Sequence, residues 1–468
     1  MTTRRALRLG ASCPLADPGR TEPLLLPAHH LVTHGVVVGM TGSGKTGLLI
    51  VMVEEALRAG VPVLMIDVKG DLPNLGLAFP DFSPAPLEPW VEPAPGDARS
   101  VAELAASLAI ERKTALGAWG LGEADLRAFH ESSQVRVITP GSSAGEPLHV
   151  LSSLERPATD WATDPEAARA SLSAAVSLVL RLLGRDPDPA KSRDHVLLSV
   201  LAERRLRAGE PSDLGALLAD VMRPPVDRIG ALTLDRFLPK RQRQELAAAL
   251  NTLLASPSFA SWREGTALDV RSWLEPPPGR TPAVIVSVAH LDDDERALVL
   301  GVLFEELLTW VRSLRGSRRL RALIVFDEVY GFLPPHPANP PTKRPLVSLM
   351  KQARAYGVGV LLATQNPMDL DYRALSNAGL WCVGRLQTDA DRARVLEGLS
   401  SSAAGDGAST AELGHIVKRL APRWFLMRDV HAGRGTLLLQ PRWAMSFLRG
   451  PMTLSEIRRA GGRRRGAS

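Results

Sequence analysis

The chain has 468 residues, of which 45% are hydrophobic and 23% are charged, and its formal net charge is +6. This length predicts two or three domains, or one core that carries a large insertion, and the composition excludes wholesale disorder. Two cysteines, Cys13 and Cys382, are too few for a disulfide framework or a thiolate metal site, as is typical of proteins of a reducing cytosol.

The sequence carries no membrane or export signal. No run approaches the 18 or so uninterrupted apolar residues of a membrane span, and the N-terminal residues 1–10 lack a signal-peptide core. We therefore predict a cytoplasmic protein without a membrane partner. The modest basic excess is compatible with a polyanionic partner.

Residues 1–30 contain four prolines and no clear period, which predicts an irregular lead-in segment. Three histidines, His29, His30 and His34, precede the first predicted strand. Because no carboxylate or cysteine adjoins them in the sequence, we interpret them as part of a surface turn and not as a metal site.

The segment GMTGSGKT at residues 39–46 fits the phosphate-loop pattern G-x-x-x-x-G-K-[ST]. An apolar run at residues 36–38 enters it, and helical spacing from Thr46 to Gly60 follows, so the motif has its required strand, loop and helix context. Lys45 is predicted to reach the β and γ phosphates of ATP, and Thr46 to ligate Mg²⁺. The predicted nucleotide-binding residues are Gly39, Thr41, Gly42, Ser43, Gly44, Lys45, Thr46 and Gly47.

The next apolar run, residues 61–68, predicts a buried strand followed by Lys69 and Asp71. Alternating strand and helix signals imply a parallel sheet, whose carboxyl edge binds ligands. These two residues therefore face the nucleotide or a neighbouring subunit, or they form a plain turn. Another short strand is predicted at residues 135–139.

Residues 157–280 change character, because successive segments show i, i+3, i+4 apolar spacing with few β-branched runs. This pattern predicts an all-helical insertion in the core. Its basic cluster, Lys240, Arg241 and Arg243, either contacts a polyanion or forms a solvated helix face.

The core resumes with a predicted strand at 283–289 and a helix at 293–314. A dense basic stretch, residues 312–321, leads into an apolar strand at 323–326 that ends in Asp327 and Glu328. Adjacent carboxylates at a strand end suit the second nucleotide motif, in which Asp327 holds Mg²⁺ and Glu328 polarises the attacking water. The pair therefore predicts hydrolysis as well as binding.

A helix at 346–355, a break at Gly357 and a strand at 358–363 form the next unit, which stops at Thr364 and Gln365. If this strand lies between the two motif strands, Gln365 projects toward the γ-phosphate, and the alternative is a polar residue that caps the strand. The remaining predictions are a strand at 380–383, a hairpin of residues 424–430 and 436–440, and a disordered basic tail at 451–468.

Together, GMTGSGKT, LIVFDE and KQARAYGVGVLLATQNP resemble the HerA/FtsK superfamily of P-loop ATPases, and HerA-like ATPases of the helicase type in particular. The likeness covers residues 31–156 and 281–400. It implies a RecA-like α/β core with a parallel sheet, and a homo-oligomeric, hexameric ring that couples ATP hydrolysis to movement of double-stranded DNA.

The resemblance also assigns roles to two residues of the last motif. Gln365 takes the place of the family's sensor glutamine. Arg354 matches the arginine finger given to the neighbouring subunit; we expect it beside the sheet edge near Gln365, acting in trans, with Arg385 as the alternative finger. The chain departs from the family in lacking the usual N-terminal β-barrel and in carrying the helical insertion.

These expectations divide the chain into a lead-in segment (1–30), a core in two parts (31–156 and 281–450), an insertion between them (157–280) and a tail (451–468). The leading hypothesis is an ATP-hydrolysing ring motor on double-stranded DNA. The alternatives are an ATPase of the same fold that moves protein, and a nucleotide-stabilised platform that recruits a nuclease or another effector.

Overall fold

The computed structural model of the protein describes residues 6–465, except for 16, 18, 156–160, 163, 372–377, 401–408 and 434. The strands are β1 Ala6–Pro14, β2 Glu22–Pro27, β3 Gly35–Val38, β4 Val63–Asp67, β5 Ser133–Pro140, β6 Glu146–His149, β7 Arg228–Ile229, β8 Leu232–Thr233, β9 Thr266–Ala267, β10 Thr281–Ser287, β11 Ala322–Asp327, β12 Val358–Thr364, β13 Leu380–Val383, β14 Phe425–Asp429 and β15 Leu437–Pro441.

The helices in the first half are α1 Lys45–Arg58, α2 Val101–Gly117, α3 Glu123–Ser132, α4 Ser152–Glu155, α5 Pro165–Leu182, α6 Arg193–Arg207, α7 Leu214–Met222 and α8 Leu234–Phe237. Those in the second half are α9 Lys240–Ala255, α10 Ala260–Arg263, α11 Val270–Leu274, α12 Asp293–Ser313, α13 Lys343–Gln352, α14 Asp389–Ser400, α15 Thr410–Arg419 and α16 Leu454–Arg465. None of these helices combines the length and the apolar character needed to cross a bilayer.

Thirteen strands form one sheet in the order β2-β1-β15-β14-β13-β3-β12-β11-β4-β10-β5-β6-β9. From β13 to β9 every neighbouring pair is parallel, whereas β14, β15, β1 and β2 extend the sheet by antiparallel pairing. The predicted α/β class with a parallel core is therefore confirmed. The predicted hairpin near residue 430 is also present, as the antiparallel pair β14 and β15.

The parallel strands are buried on both faces, which explains their continuous apolar sequences. In β11, Leu323 and Val325 join the hydrophobic cluster that contains α1, and Ile324 and Phe326 join the cluster that contains α12. Successive side chains of a strand point to opposite faces, so one apolar run supplies both cores. Helix α1 is apolar almost all round, because it is buried between the sheet and the N-terminal and C-terminal segments.

The insertion is largely helical, but two features depart from the all-helical prediction. Strands β7 and β8 form a separate two-residue hairpin, and β9 pairs in parallel with β6 at the edge of the main sheet. Helix α5 shares its apolar cluster with α12 of the core, so the insertion packs directly on the core. Its boundaries at 157 and 280 stay a prediction.

The prediction of an irregular lead-in at residues 1–30 is wrong for its described part. Residues 6–14 and 22–27 form β1 and β2, and β1 pairs with β15 near the other end of the chain. Pro14 and Pro27 end their strands, and Pro23 lies in edge strand β2, positions that tolerate a residue without a backbone donor. The local pattern was misleading because β1 is held between β2 and a second partner, β15, that lies more than 400 residues away.

The prediction that residues 451–468 are disordered is also wrong for the described part, which contains α16. Ile457 and Met452 are buried in a small cluster with Leu77 and Trp90. Glu456 caps the start of the helix by accepting hydrogen bonds from Thr453 N and Oγ1, both at 2.8 Å. A tertiary contact thus orders a segment whose arginines and glycines suggested disorder. Residues 466–468 lie outside the described residues.

Candidate nucleotide site

The site lies where four adjacent parallel strands, β3, β12, β11 and β4, end at the same edge of the sheet. The phosphate loop follows β3, and β12 lies between β3 and β11, as predicted for the strand before Gln365. Because parallel strands present their carboxyl ends together, residues that are distant in sequence converge here.

The phosphate loop adopts the backbone that its glycines permit. Gly42 and Gly44 have φ of 77° and 94°, in the left-handed region that other residues rarely adopt. The buried Ser43 side chain fills the space beside Gly39, where an added Cβ would lie only 2.5 Å from Ser43 Oγ. Gly47 faces open space in the first turn of α1, because no atom beyond the helix's own backbone and the adjacent residues lies within 4 Å of an added Cβ.

Lys45 is the buried cation of the loop, with 7% of the residue exposed. Its Nζ donates to the carbonyl oxygens of Gly39 and Met40, at 2.5 and 3.1 Å. Burial lowers the pKa of Lys45 to about 8; Glu328 and Asp327 oppose this shift, and Lys69 adds to it. The ammonium is therefore held inside the curve of the loop, close to both motif carboxylates.

Asp327 and Thr46 supply neighbouring oxygen atoms. Thr46 Oγ1 donates to Asp327 Oδ2 at 3.3 Å, and Asp327 is 4% exposed. The pKa of Asp327 is raised to about 6, chiefly by burial; the nearby carboxylates of Asp67, Asp71 and Glu328 contribute to the rise, whereas Lys69 opposes it. A hydroxyl and a carboxylate side by side fit Mg²⁺, which prefers a few protein oxygen ligands together with water and phosphate oxygens.

Glu328 is fixed by three contacts. Its Oε2 lies 2.7 Å from Lys69 Nζ, and its Oε1 accepts from Thr364 Oγ1 and Gln365 N, both at 3.2 Å. Its backbone has φ of 66°, a left-handed conformation that is uncommon for glutamate and that clusters at functional sites. The carboxylate is thereby held at the ends of β11 and β12.

Gln365 connects the two halves of the site. Thr41 Oγ1, in the phosphate loop, donates to Gln365 Oε1 at 2.6 Å, while the Gln365 backbone N–H donates to Glu328. The structure therefore brings together Thr41, Lys45, Thr46, Asp327, Glu328 and Gln365 from the predicted set. The chemical roles of these residues stay predictions.

The predicted position of Arg354 near Gln365 is wrong. Arg354 lies in a 3-10 turn, Ala353–Tyr356, that precedes β12, whereas Gln365 follows that strand. Seven strand residues separate the two ends by on the order of 20 Å. Arg354 is exposed at the amino edge of the sheet, and Arg385 instead lies at the phosphate loop, where its carbonyl oxygen accepts from Met40 N at 2.9 Å.

The predicted surface turn of histidines is also wrong, because His30 and His34 are buried. His30 Nδ1 lies 2.6 Å from Asp429 Oδ2, and His34 Nδ1 accepts from Val360 N at 3.1 Å. The carboxylate that accompanies His30 comes from β14, so the local sequence did not reveal it. Within the described part of the chain, no group of histidine, cysteine and carboxylate side chains is arranged to hold a metal ion.

Two residues near the loop were missed or left open. Lys69, for which a plain turn was an equal alternative, contacts Glu328, and its place after a buried strand was the available signal. Arg423 precedes β14 and donates its backbone N–H to Ser43 O at 3.0 Å. No sequence signal linked Arg423 to the loop, because the contact depends on the antiparallel extension of the sheet.

Comparison with known proteins agrees with this geometry. The family model described as "Helicase HerA-like C-terminal" matches residues 15–81, which include the phosphate loop and β4. This match confirms the resemblance to HerA-like proteins over the part of the chain that carries the phosphate loop. No protein of curated function matches the sequence significantly.

Among solved structures, VirB4 of Thermoanaerobacter pseudethanolicus aligns over 94% of this chain and 97% of its own, with 13% identity and a TM-score of 0.53. At this identity the likeness concerns the fold. The plasmid coupling protein TrwB aligns over 96% of this chain and 98% of its own in two structures. The complex with the ATP analogue ADPNP has 14% identity and a TM-score of 0.47, and the complex with ADP and Mg²⁺ has 14% identity and 0.42.

Proposed function

We propose that this protein is an ATP-hydrolysing ring motor that acts on double-stranded DNA. One observation carries the proposal: β12 lies between the two motif strands and brings the Gln365 backbone N–H within 3.2 Å of Glu328 Oε1, while Thr46 lies 3.3 Å from Asp327. Residues for phosphate, metal and water thus share one edge of the sheet.

ATP with Mg²⁺ is the cofactor pair that these residues fit. Backbone N–H groups of the loop and the N-terminus of α1 would meet the phosphate oxygens of bound ATP, and Lys45 would supply a positive charge to the β and γ phosphates. Thr46 and Asp327 would hold Mg²⁺, which when bound would neutralise charge that develops on the transferring phosphoryl group. The open space at Gly47 leaves room for phosphate at the first turn of α1.

Glu328 serves as the base for the attacking water. It must orient the water in line with the γ-phosphate and accept its proton, and the hydrogen bonds from Thr364 and Gln365 fix the carboxylate for that task. Gln365 is suited to sense the γ-phosphate, since its side chain bonds to the phosphate loop and its backbone bonds to Glu328.

We propose a hexameric ring of identical subunits in which Arg354 acts on the site of a neighbouring subunit. An exposed guanidinium at the amino edge of the sheet does not reach the phosphates of its own subunit. In a closed head-to-tail ring, however, one side of each subunit meets a different side of the next. Arg354 would then complete the neighbouring site as an arginine finger.

Charge supports DNA as the partner. The arginines between α12 and β11 are exposed, and Arg315, Arg318 and Arg319 form no ion pair with any described carboxylate. The net charge of +6 has the same sign. Cations of this kind bind the phosphate backbone without reading the bases, so we propose contacts that are independent of sequence. A cytoplasmic location also stays part of this proposal.

Steady-state ATP turnover with and without duplex DNA tests the function. We expect duplex DNA to stimulate turnover, and its affinity to fall linearly with the logarithm of the salt concentration. Lys45→Ala is the control that should abolish both basal and stimulated turnover.

Other outcomes favour the alternatives. A turnover rate that duplex DNA does not change would support a motor that moves protein. ATP binding without turnover would support an assembly platform for a nuclease or another effector. A salt-independent affinity or a strong preference for one base sequence would contradict the translocase hypothesis.

A further inference from the structure

The turn before β14 forms the outer wall of the phosphate loop. Besides the hydrogen bond from Arg423 N to Ser43 O, the Arg423 side chain packs against Gly44, where an added Cβ would lie 3.0 Å from Arg423 Cγ. Arg423 adopts a left-handed backbone with φ of 64°, although an L side chain is disfavoured there. The arginine therefore stands directly beside the residues that bind phosphate.

The guanidinium of Arg423 is stacked on an exposed aromatic ring. Its Cζ lies 3.3 Å from the ring centroid of Trp443, and its Nη2 donates to Pro441 O at 2.9 Å. Trp443 is 47% exposed, and it is one of the few large hydrophobic residues in the described part of the chain that are exposed. Among the described residues Arg423 has no carboxylate partner, so the pair presents a planar cation and an indole.

The segment that carries Trp443 is fastened to the helix of the phosphate loop. Arg442 is 1% exposed and pairs with two consecutive carboxylates of α1: its Nη1 lies 2.8 Å from Glu54 Oε2, and its Nη2 lies 2.9 Å from Glu55 Oε1. Glu54 also accepts from Met445 N and Ser446 N. These buried contacts hold Trp443 at a fixed position relative to Lys45 and Thr46, which begin the same helix.

We infer that Arg423 and Trp443 form the wall on which the nucleoside end of the bound nucleotide stacks. This inference rests on the proposed nucleotide site and extends it from the phosphates to the base. Aromatic rings and guanidinium planes both stack on bases, and stacking accepts any base because every base has a π-face. The two side chains are specificity residues for a nucleoside triphosphate over an inorganic polyphosphate.

The test compares the affinity of the wild-type protein and its variants for ATP and for inorganic tripolyphosphate, each with Mg²⁺. Trp443→Ala should weaken ATP binding by about 5-fold to 150-fold, the equivalent of ~1–3 kcal/mol for one stacked base, and leave tripolyphosphate binding within about twofold. Trp443→Phe, which keeps a stacking ring, should restore most of the ATP affinity. Arg423→Lys keeps the positive charge but loses the planar guanidinium, so it should weaken the binding of ATP and not that of tripolyphosphate.

The insertion offers a matched control, since Arg207 stacks on Trp161 with 5.4 Å between Arg207 Cζ and the ring centroid. Trp161→Ala should leave both affinities unchanged. If Trp443→Ala weakens ATP and tripolyphosphate equally, or changes neither, the inference is overturned while the nucleotide site stands. If the wild-type protein binds neither compound, the proposed function fails and the inference fails with it.

Discussion

The two edges of the parallel sheet differ in how their charged residues are satisfied. At the carboxyl edge, Lys45, Asp327 and Glu328 are nearly buried, and each has a partner within the chain. At the amino edge, Arg354 and the arginines before β11 are exposed, and none of Arg315, Arg318, Arg319 and Arg354 pairs with a described carboxylate. The same strands thus connect a preorganised site to an unsatisfied cationic surface.

This difference separates what one subunit can do from what requires a partner. Under the proposed function, the carboxyl edge of one chain contains the groups for phosphate, metal and water. The charge of Arg354 is separated from that site by the length of β12, on the order of 20 Å. A role for Arg354 in hydrolysis therefore demands a second copy of the chain.

The largest effect is expected from a substitution at the amino edge of the sheet. Arg354→Ala should lower ATP turnover ~10³-fold to 10⁵-fold, the scale of arginine fingers, and leave ATP affinity nearly unchanged. Steady-state kinetics and nucleotide titration measure the two quantities. Arg318→Ala, at an exposed arginine of the same edge, is the matched control and should retain basal turnover.

Mixing Arg354→Ala protein with Lys45→Ala protein tests the action in trans. Mixed rings contain interfaces in which an intact phosphate loop meets an intact Arg354, so part of the activity should return. No recovery, although mixed rings demonstrably form, would show that Arg354 is not a finger.

A change at the carboxyl edge should separate binding from chemistry. Glu328→Gln should lower turnover ~10²-fold to 10⁴-fold, because an amide cannot accept the proton of the attacking water. ATP affinity should persist, since Lys45, Thr46 and Asp327 are intact. If this variant keeps wild-type turnover, another residue acts as the base.

A smaller effect is expected at Lys69, whose ammonium contacts Glu328 at 2.7 Å. Lys69→Ala should reduce turnover about tenfold, because Glu328 loses one charge-assisted hydrogen bond that positions it. Lys69→Arg should recover part of that loss. If Lys69→Ala leaves the rate unchanged, the ion pair with Glu328 only stabilises the turn and does not position the carboxylate for catalysis.

The smallest effect on catalysis is expected at Glu306 of α12, which lies away from both edges. Glu306 is 2% exposed and accepts from Ser171 Oγ, on α5 of the insertion, at 2.6 Å. The pKa of Glu306 is raised to about 7, chiefly by burial; the hydrogen bond from Ser171 opposes the rise, and the neighbouring Asp269 and Glu305 contribute to it. Because the folded state holds this proton more tightly than the unfolded state, stability falls as pH rises from about 4.5 to about 7.

Glu306→Gln should therefore raise the free energy of unfolding by about 3 kcal/mol at pH 8 and by little near pH 4, without changing turnover. Denaturant unfolding at the two pH values measures this difference. Equal effects at both values would show that ionisation of Glu306 is not the cause, and a change in turnover would show that the seam between insertion and core influences the site.

Local signals in the sequence were sufficient for the central strands and the motif residues. The phosphate loop, the carboxylates that end β11 and the unit from α13 to β12 were all predicted, because an apolar run, a glycine turn and a terminal polar residue occupy contiguous positions. The prediction for Gln365 depended on β12 lying between the two motif strands, and the strand order of the sheet meets this condition.

Tertiary structure decided the pairings that no local pattern contains. It placed β1 beside β15, ordered α16 over Leu77 and Trp90, and brought Arg423 to the phosphate loop. In each case the stabilising partner lies far away in the sequence. The sequence alone thus determined which chemical groups are present and which strands carry them, whereas the sheet order and the strand directions determined which groups meet, because side chains act only over a few ångströms.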